Sequence, residues 1–225
     1  MDEIDKIRSA YGRRAGKSEV YERLGNYFYF NIYAEFEKEL RLSRILRDES
    51  LDIRNSKLLE IGAGKGNSLL FFKRIGFKWE NIYANELLDD RFDILKKDFN
   101  NVNLLYGDFL KVDLTVKFNV IYQSLVFSSI LNDDMKVKMA RKIWEHILPG
   151  GLIIWYDFKF DNPNNRDVKG VRKKEVLQYF PHAKNINFYD VTLLPPIGRR
   201  VGRYYNLVNF ILPFLRSHYI AVIKK

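Results

Sequence analysis

The chain of 225 residues contains no cysteine and only three histidines, His146, His182 and His218. The absence of cysteine excludes disulfides, a thiol nucleophile and thiolate metal ligands. Three scattered histidines also lack the spacing that is typical of a zinc site. We therefore expect no metal site in this protein.

Long apolar runs are also missing. No stretch approaches the roughly 20 uncharged apolar residues that a transmembrane helix needs. The N-terminal residues MDEIDKIRSAYGRR lack the apolar segment of a secretory signal, so a cytoplasmic protein is expected. With 47% hydrophobic and 29% charged residues, the composition is that of an ordinary globular domain, which excludes a disordered or collagen-like chain.

Positive charge is in excess, because 38 Lys and Arg stand against 28 Asp and Glu and give a net charge of +10. The excess is concentrated near one end: residues 151–225 hold 13 basic and 5 acidic residues. The basic residues cluster in the runs 169–174 and 199–203. This distribution predicts an anionic ligand or carrier for the C-terminal third, with a solvated basic face as the alternative.

From residue 57 onward, short apolar runs of strand length alternate with amphipathic stretches, which indicates a parallel sheet covered on both faces by helices. The predicted strands are residues 57–61, 81–86, 102–106, 118–122, 152–157, 186–193 and 218–223. The predicted helices between them are residues 67–75, 87–99, 133–147 and 173–180.

The two ends of the chain follow other patterns. Residues 1–50 are predicted as a helical cap, with one helix beginning at 19–22 and another over 36–46. Residues 51–225 form the main domain of a single globular unit. Residues 195–217 form a lid-like insertion that is helical over 203–215. Within it, residues 204–215 are apolar nearly all round and follow three arginines. This segment is expected to pack on the N-terminal helices or, as the alternative, to contact a membrane surface or lipid.

The most informative stretch is LLEIGAGKGN at residues 58–67, a buried strand followed by a glycine turn and a helix. Its glycines let the backbone approach a ligand closely, beside the amides of a helix N-terminus. A P-loop is excluded because Lys65 is followed by Gly66 rather than Ser or Thr, and the G-x-G-x-G spacing differs from the dinucleotide fingerprint. Glu60 would repel a pyrophosphate and is better suited to an ammonium or sulfonium ligand.

Two further strands are predicted to end in an acid. Glu86 ends the second strand, where a carboxylate can accept both hydroxyls of a ribose. Asp108 follows the third strand and can accept from an exocyclic amine, with the ring of Phe109 beside it. Because parallel strands end at one edge of their sheet, we expect all three acids at a single crevice.

These motifs, E-x-G-x-G-x-G at 60–66, an acid ending strand two, Gly-Asp after strand three and Leu-Pro-Gly-Gly at 148–151, resemble class I S-adenosylmethionine-dependent methyltransferases. The resemblance covers roughly residues 57–158. It implies a Rossmann-like α/β fold with a seven-stranded, mostly parallel sheet, an antiparallel last strand, helices on both faces and a helical N-terminal cap. It also implies S-adenosylmethionine as the cofactor.

Residue by residue, the resemblance implies the following cofactor site. The methionine end lies against Glu60 and the loop residues Gly62, Ala63, Gly64 and Gly66. The ribose is bound by Glu86. The adenine lies between Leu87 and Phe109, with Asp108 at its amino group. Family members often place an N-terminal aromatic or basic residue over the cofactor, for which Tyr11, Arg13 and Arg14 are the candidates.

The acceptor side is expected at the ends of the fourth and fifth strands. Gln123 and Ser124 are predicted near the methyl group or the methionine carboxyl, or else they bond only local backbone. Asp157 is predicted as a general base or as a carboxylate that orients the acceptor, with a structural cap as the alternative. His218 begins the last strand and, if that strand is antiparallel, reaches the acceptor.

The predicted function is methyl transfer to a hydroxyl of a small or lipid-linked, saccharide-like and anionic acceptor. The saccharide or lipid-linked class rests on a resemblance of segments 123–130, 155–163 and 215–219 to a bacterial branch associated with polysaccharide and glycolipid assembly. The residues after strand four are not an Asn-Pro-Pro-Tyr motif, which disfavours amine methylation of bases and glutamine. The alternatives are an RNA methyltransferase, which the absence of an RNA-binding module disfavours, and a non-catalytic scaffold subunit. A peripheral contact with a membrane is the other predicted interaction.

Overall fold

The structure is a computed structural model that describes residues 2–22, 25–162 and 165–225, without the side chains of residues 14–28. Within these residues, seven strands form one sheet. They are β1 (Leu58–Ile61), β2 (Ile82–Glu86), β3 (Asn103–Tyr106), β4 (Phe118–Ser124), β5 (Ile147–Phe158), β6 (Asn185–Leu193) and β7 (Arg216–Lys224).

The strand order is β3-β2-β1-β4-β5-β7-β6. Neighbours from β3 to β5 pair in parallel, whereas β7 pairs antiparallel with both β5 and β6. The predicted Rossmann-like sheet with an antiparallel last strand is thereby confirmed. Because β1 and β4 lie side by side at the centre, the chain reverses its winding direction next to the glycine loop, which is where such sheets form a crevice.

The helices lie on both faces of the sheet, as predicted. They are α1 (Glu3–Glu22), α2 (Gly25–Asp48), α3 (Asn67–Arg74), α4 (Asp89–Asp98), α5 (Asp133–His146), α6 (Lys173–Tyr179), α7 (Pro195–Val201) and α8 (Tyr205–Ile211). Short 3₁₀ turns stand at Trp79–Asn81, Phe127–Ser129, Gly202–Tyr204 and Pro213–Leu215.

Several predicted boundaries are wrong. The helix predicted over 36–46 extends from Gly25 to Asp48, and the last strand begins at Arg216 rather than at residue 218. Residues 19–22 do not begin a helix but end α1, whose first turn carries its own acids at Glu3 and Asp5. The fifth strand begins at Ile147 rather than at Leu152. There the pairing with β4 shifts over Leu-Pro-Gly-Gly, so this segment is a bulge in the strand rather than a loop before it.

Each face of the sheet has its own apolar layer. On one face, α2 and α3 contribute Leu42, Leu46 and Phe72 to a core that includes the strand residues Val120 and Tyr122. The opposite face is packed by α5 and α6 around Trp155 of β5. This double cover explains why the central strands are nearly continuous apolar runs.

The 195–217 insertion is helical, and it packs on α2 with one side only. The ring of Tyr205 stacks on Tyr33 with centroids 5.8 Å apart and meets Phe30 edge-on at 6.0 Å. The opposite side of α8 faces outward. In the part of the chain that the structure describes, no helix combines the length and the apolar character needed to cross a membrane.

The helix after the glycine loop depends on an aromatic cluster. The buried ring of Phe72 lies 5.2 Å from the rings of Phe71 and Tyr122 and 5.7 Å from that of Phe77. We expect Phe72→Ala to lower the free energy of unfolding by about 3–5 kcal/mol, because it leaves a cavity under α3. Urea unfolding measures the change. The matched control is Leu70→Ala on the exposed side of α3, and an equal loss in both variants would contradict the prediction.

Candidate active site

The glycine loop is shaped so that two of its positions exclude any side chain. Gly62 and Gly66 have φ of 69° and 88°, in the left-handed region that favours glycine. A Cβ atom on Gly62 would lie 2.6 Å from Val126 Cγ2, and one on Gly66 would lie 2.3 Å from Phe99 Cε2. The loop therefore runs close to its neighbours and directs its backbone toward the edge of the sheet.

The carboxylate of Glu86 joins this loop to the end of β2. Its Oε2 accepts a hydrogen bond from the Gly64 amide at 2.7 Å, and its Oε1 accepts one from the Leu88 amide at 2.8 Å. Burial raises the pKa of Glu86, and the two backbone donors oppose that shift. Glu86 is thus a buried acid whose charge the loop stabilises.

Asp108 stands on the neighbouring turn, which is fixed to β2. Asp108 Oδ1 accepts from the Leu110 amide at 3.0 Å, and the Gly107 amide donates to the Glu86 carbonyl at 2.8 Å. The side-chain amide of Asn85 donates to the carbonyls of Leu105 and Gly107, both at 3.0 Å. These bonds hold the ends of β2 and β3 in one arrangement.

The two acids line an open cleft of about 570 Å³, a volume that includes the solvent at its mouth. Predicted cofactor residues that the structure brings together there are Tyr11, Glu86, Leu87, Asp108 and Phe109. The lining is otherwise largely apolar, and it comes from α1, α5 and the residues around Phe127–Ser129.

The aromatic candidate from the N-terminal helix reaches this cleft. Tyr11 lines it, its hydroxyl lies 3.1 Å from Ser129 Oγ, and the Arg91 guanidinium carbon lies 4.4 Å from the centroid of its ring. A guanidinium over an aromatic face is a favourable contact. Arg13 instead forms an ion pair with Asp167 at 2.8 Å. The side chain of Arg14 lies outside the described residues.

Glu60 lies in a second, buried part of the same edge. Its side chain is on the α2 face beside Tyr122, its register partner on β4. Among the described residues, Glu60 Oε2 and the Tyr122 hydroxyl have no hydrogen-bond partner. Burial raises the pKa of the Glu60 carboxyl to about 8, although Ser68 and Lys38 lower it. An acid in this state needs a donor or a cation.

The nearby cation comes from α2. Lys38 Nζ lies 2.8 Å from Glu35 Oε1 and 5.3 Å from the centroid of the Tyr156 ring. Burial works against the charge of Lys38, but the oxygens of Tyr122, Glu35 and Tyr156 outweigh it, and the pKa of the ammonium is raised. The α2 helix therefore adds a buried positive charge above the ends of the central strands.

Asp157 and Gln123 lie on the opposite face from Glu60. Asp157 Oδ2 accepts from the Ser128 amide at 3.2 Å, and Gln123 Nε2 lies 3.5 Å from the same oxygen. Gln123 Oε1 in turn accepts from the Val126 amide at 3.0 Å. Burial raises the pKa of Asp157 to about 6, against these hydrogen bonds. Both side chains thus hold the Phe127–Ser129 turn behind the cleft wall, and neither lines the cleft. Ser124 is half-buried at the end of β4.

His218 is brought to the carboxyl edge by β7, but it is buried. Its ring stacks on Tyr156 with centroids 5.0 Å apart, and its Nδ1 lies 2.9 Å from the Ser217 hydroxyl. Burial, with smaller contributions from Lys38 and Lys159, lowers the pKa of His218 to about 3. The imidazole is therefore neutral at neutral pH.

Comparison with known proteins identifies solved structures that share this fold. No protein-family model matches the chain, and no curated protein matches it. Solved structures do match. A 1,6-didemethyltoxoflavin-N1-methyltransferase from Burkholderia thailandensis, solved with its substrate and S-adenosylhomocysteine, superposes with a TM-score of 0.65 at 14% identity, covering 98% of this chain and 88% of that one.

Two further structures agree with it. An S-adenosylmethionine-dependent methyltransferase from Clostridium acetobutylicum gives a TM-score of 0.59 at 15% identity and covers 93% of this chain and 97% of that one. An amino pentose methyltransferase from Micromonospora echinaspora, with bound S-adenosylmethionine, gives 0.57 at 12% identity and covers 82% and 89%. The chain has the fold of S-adenosylmethionine-dependent methyltransferases.

Some residues of this methyltransferase-fold site were not predicted from the sequence. Arg91 lies over Tyr11, Lys38 lies beside Glu35, and Ile4 and Ile7 line the cleft from α1. The apolar spacing of α1 predicts a buried face but does not say which part of the sheet it covers. Lys38 carries no sequence signal at all, because a lysine between acids on a helix usually belongs to a solvated face.

The raised pKa of Glu60 predicts a pH-dependent stability. The folded protein keeps this proton up to about pH 8, whereas the unfolded chain loses it near the ordinary carboxyl pKa of 4.5, so stability falls as pH rises between these values. Relative to Glu60→Gln, which stays neutral, the wild type should lose roughly 3–5 kcal/mol from pH 5 to pH 9. Urea unfolding across that range measures it.

The matched control is Glu80→Gln, because Glu80 is an exposed acid just before β2. Its stability should follow that of the wild type at every pH. Parallel curves for the wild type and Glu60→Gln would show that Glu60 ionises normally in the folded protein.

Proposed function

We propose that the protein is an S-adenosylmethionine-dependent methyltransferase that acts on a hydroxyl of a small or lipid-linked, anionic and saccharide-like acceptor. The observation that carries the proposal is the arrangement at the cleft, where Glu86 accepts from the glycine loop and Asp108 stands on the next turn. The fold supports methyl transfer, and the names of the toxoflavin and amino pentose methyltransferases, which state small-molecule substrates, support a small-molecule acceptor.

The residues present suit this cofactor. Among the residues that the structure describes, Glu60 Oε2 is a buried acceptor without a hydrogen-bond partner, which suits a site for an ammonium group. The glycine backbone runs where a Cβ at position 62 would collide with Val126, so close approach is built into the loop. Glu86 would accept from the ribose hydroxyls, and Asp108 from the adenine amine, beside Leu87 and Phe109.

In the proposed reaction, the sulfonium supplies an activated methyl group that is displaced in line by the acceptor oxygen. The residues of this chain bind the cofactor and the acceptor, align the two, and exclude water from them. Tyr11 and the apolar residues of α1 cover the cleft and exclude water from it. Asp157 acts as a positioning residue, since its hydrogen bond from the Ser128 amide fixes the turn that carries Val126 and Ser129 to the cleft.

His218 is the proposed acceptor-side residue. The neutral imidazole can accept a hydrogen bond or a proton from a hydroxyl. A general base works best with a pKa near the working pH, so burial makes His218 a weak base. We therefore assign it mainly to holding the hydroxyl in line, with Tyr156 and Phe158 fixing its ring.

The proposal of an anionic acceptor rests on the excess positive charge of residues 151–225. The structure indicates which of these basic residues have a counter-charge within the protein. Lys169 lies 3.1 Å from Asp133 and Lys173 lies 2.9 Å from Asp190, so two lysines of the 169–174 run have internal counter-charges. Exposed arginines remain at 200 and 203, on the insertion between β6 and β7. Arg172 and Lys174 of the 169–174 run are exposed as well, so the attraction for an anion is proposed on the insertion and on these two residues.

The cofactor assignment is tested by calorimetry with S-adenosylhomocysteine. We expect wild type to bind and Glu86→Ala to bind about 10–100-fold more weakly, because a charged acceptor for two hydroxyls is lost. The control Glu80→Ala removes an exposed acid ahead of the same strand and should bind like the wild type. Absence of binding by folded wild type would overturn the proposed function.

The role of His218 is tested by separating turnover from cofactor binding. A screen for methyl incorporation into hydroxyl compounds, with and without phosphate or carboxylate groups, first identifies an acceptor. With it, His218→Gln should lower kcat/KM by roughly 10–100-fold, because the hydroxyl loses its orienting partner, while affinity for S-adenosylhomocysteine changes less than about twofold. Equal activity in both proteins would remove His218 from the acceptor side.

A further inference from the structure

One side of α8 and the following turn is exposed and strongly apolar. Leu207 is 56% exposed, Phe210 82%, Ile211 60% and Phe214 74%. The spacing of three and four residues places Leu207, Phe210 and Ile211 next to one another on one side of α8, and Phe214 follows in the turn after the helix. We call these four residues the outer stripe.

The inward side of the same segment contains its polar contacts. The Tyr205 hydroxyl donates to Glu37 Oε2 at 2.9 Å, and Asn209 Oδ1 accepts from Arg216 Nε at 2.9 Å. The inward side also packs apolar groups, Tyr205 and Val208, against Phe30. The segment is therefore apolar on both sides, whereas a surface helix normally has a polar outer side. Single exposed apolar residues are ordinary, whereas a contiguous group of them marks a contact surface.

The charge around the outer stripe is of one sign. Residues 194–217 contain four arginines and no Asp or Glu. Arg200 and Arg203 are exposed. The Arg203 guanidinium lies over the ring of Tyr204, at 5.0 Å, so it extends the apolar surface as well as charging it.

This charge argues against a second copy of the chain as the occupant. A twofold contact through the outer stripe would bring the same surface of both copies together, and with it their arginines. Segment 194–217 offers no carboxylate to pair with them. An apolar stripe flanked by arginines instead matches the boundary between the anionic headgroups and the acyl chains of a bilayer.

The position of the segment is consistent with that occupant. It connects the end of β6 to the start of β7, and β6 runs parallel to β5. The segment therefore lies at the carboxyl edge of the sheet, the edge that carries Glu60, Glu86 and His218. A membrane seated on the outer stripe would approach the molecule from the side of the candidate site.

We propose that the outer stripe, with Arg200 and Arg203, docks the protein on the surface of an anionic lipid bilayer. The four apolar side chains enter the headgroup boundary, and the two guanidinium groups bind lipid phosphates. The protein lies on the membrane and does not span it. Arg200 and Arg203 also belong to the proposed acceptor side, but lipid binding is measured without cofactor or acceptor, so its failure is distinguishable from a failure of the proposed function.

The test is co-sedimentation of the full chain with vesicles of phosphatidylcholine, with and without about 30% phosphatidylglycerol, in the absence of any cofactor. We expect binding to the anionic vesicles. Phe210→Ser combined with Phe214→Ser should weaken it at least about tenfold, because two large apolar side chains no longer leave water. Arg200→Gln combined with Arg203→Gln should weaken it about tenfold or more and reduce its salt dependence.

The matched control is Leu70→Ser combined with Leu177→Ser, two exposed leucines on α3 and α6, which should bind like the wild type. Unchanged thermal unfolding shows that each variant is folded. Failure of wild type to bind anionic vesicles, or equal binding by wild type and the phenylalanine variant, overturns the proposal. So does a concentration-dependent dimer that the phenylalanine variant abolishes, since the occupant would then be a second copy.

Discussion

The edge of this sheet depends on a single buried carboxylate. Glu86 accepts from the amide of Gly64, on the loop after β1, and from that of Leu88, on the turn after β2. Its own carbonyl accepts from Gly107 after β3. Three neighbouring strand ends are thus held by one residue, and bonds from backbone donors to a charged acceptor are among the stronger ones. A carboxylate has about four acceptor positions, so Glu86 can shape the loop and still bind a ligand's hydroxyls at the cleft.

Glu60, two residues before Gly62, differs from Glu86 because its charged form is not stabilised in the same way. It lies on the same edge as Glu86, but its Oε2 has no donor among the described residues, and burial raises its pKa to about 8. Without a ligand the protein therefore favours the protonated acid there. A bound ammonium would favour the carboxylate, so ligand binding and loss of this proton are coupled. Lys38, held by Glu35, supplies part of the compensating charge and limits how far the pKa rises.

The parts of the structure set by local pattern could be predicted from the sequence. The strand and helix alternation from β1 onward follows from short apolar periods and the glycine turn, and the acids at strand ends follow from parallel topology. The face of the sheet on which each side chain lies was harder to predict from the sequence. Glu60 and Asp157 were both expected at the site, but strand alternation sends Glu60 to the α2 face, away from the cleft that Ile61 lines. Asp157 lies on the face of the cleft but is buried behind its wall, where it fixes a turn. Lys38 and Arg91 could not be found, because their positions depend on how distant helices pack.

The stability of the fold does not by itself explain why α8 exposes its apolar side. Burying one large apolar side chain stabilises a fold by about 1.5–3 kcal/mol. Turning α8 over would bury Phe210 and Ile211, yet the structure buries Tyr205 and Asn209 there instead. The hydrogen bond from Tyr205 to Glu37 and the one from Arg216 to Asn209 fix this orientation, since reversing the helix would leave Glu37 and Arg216 without those partners. The apolar side is therefore held outward by specific polar contacts, and it is the surface for which we propose a lipid partner.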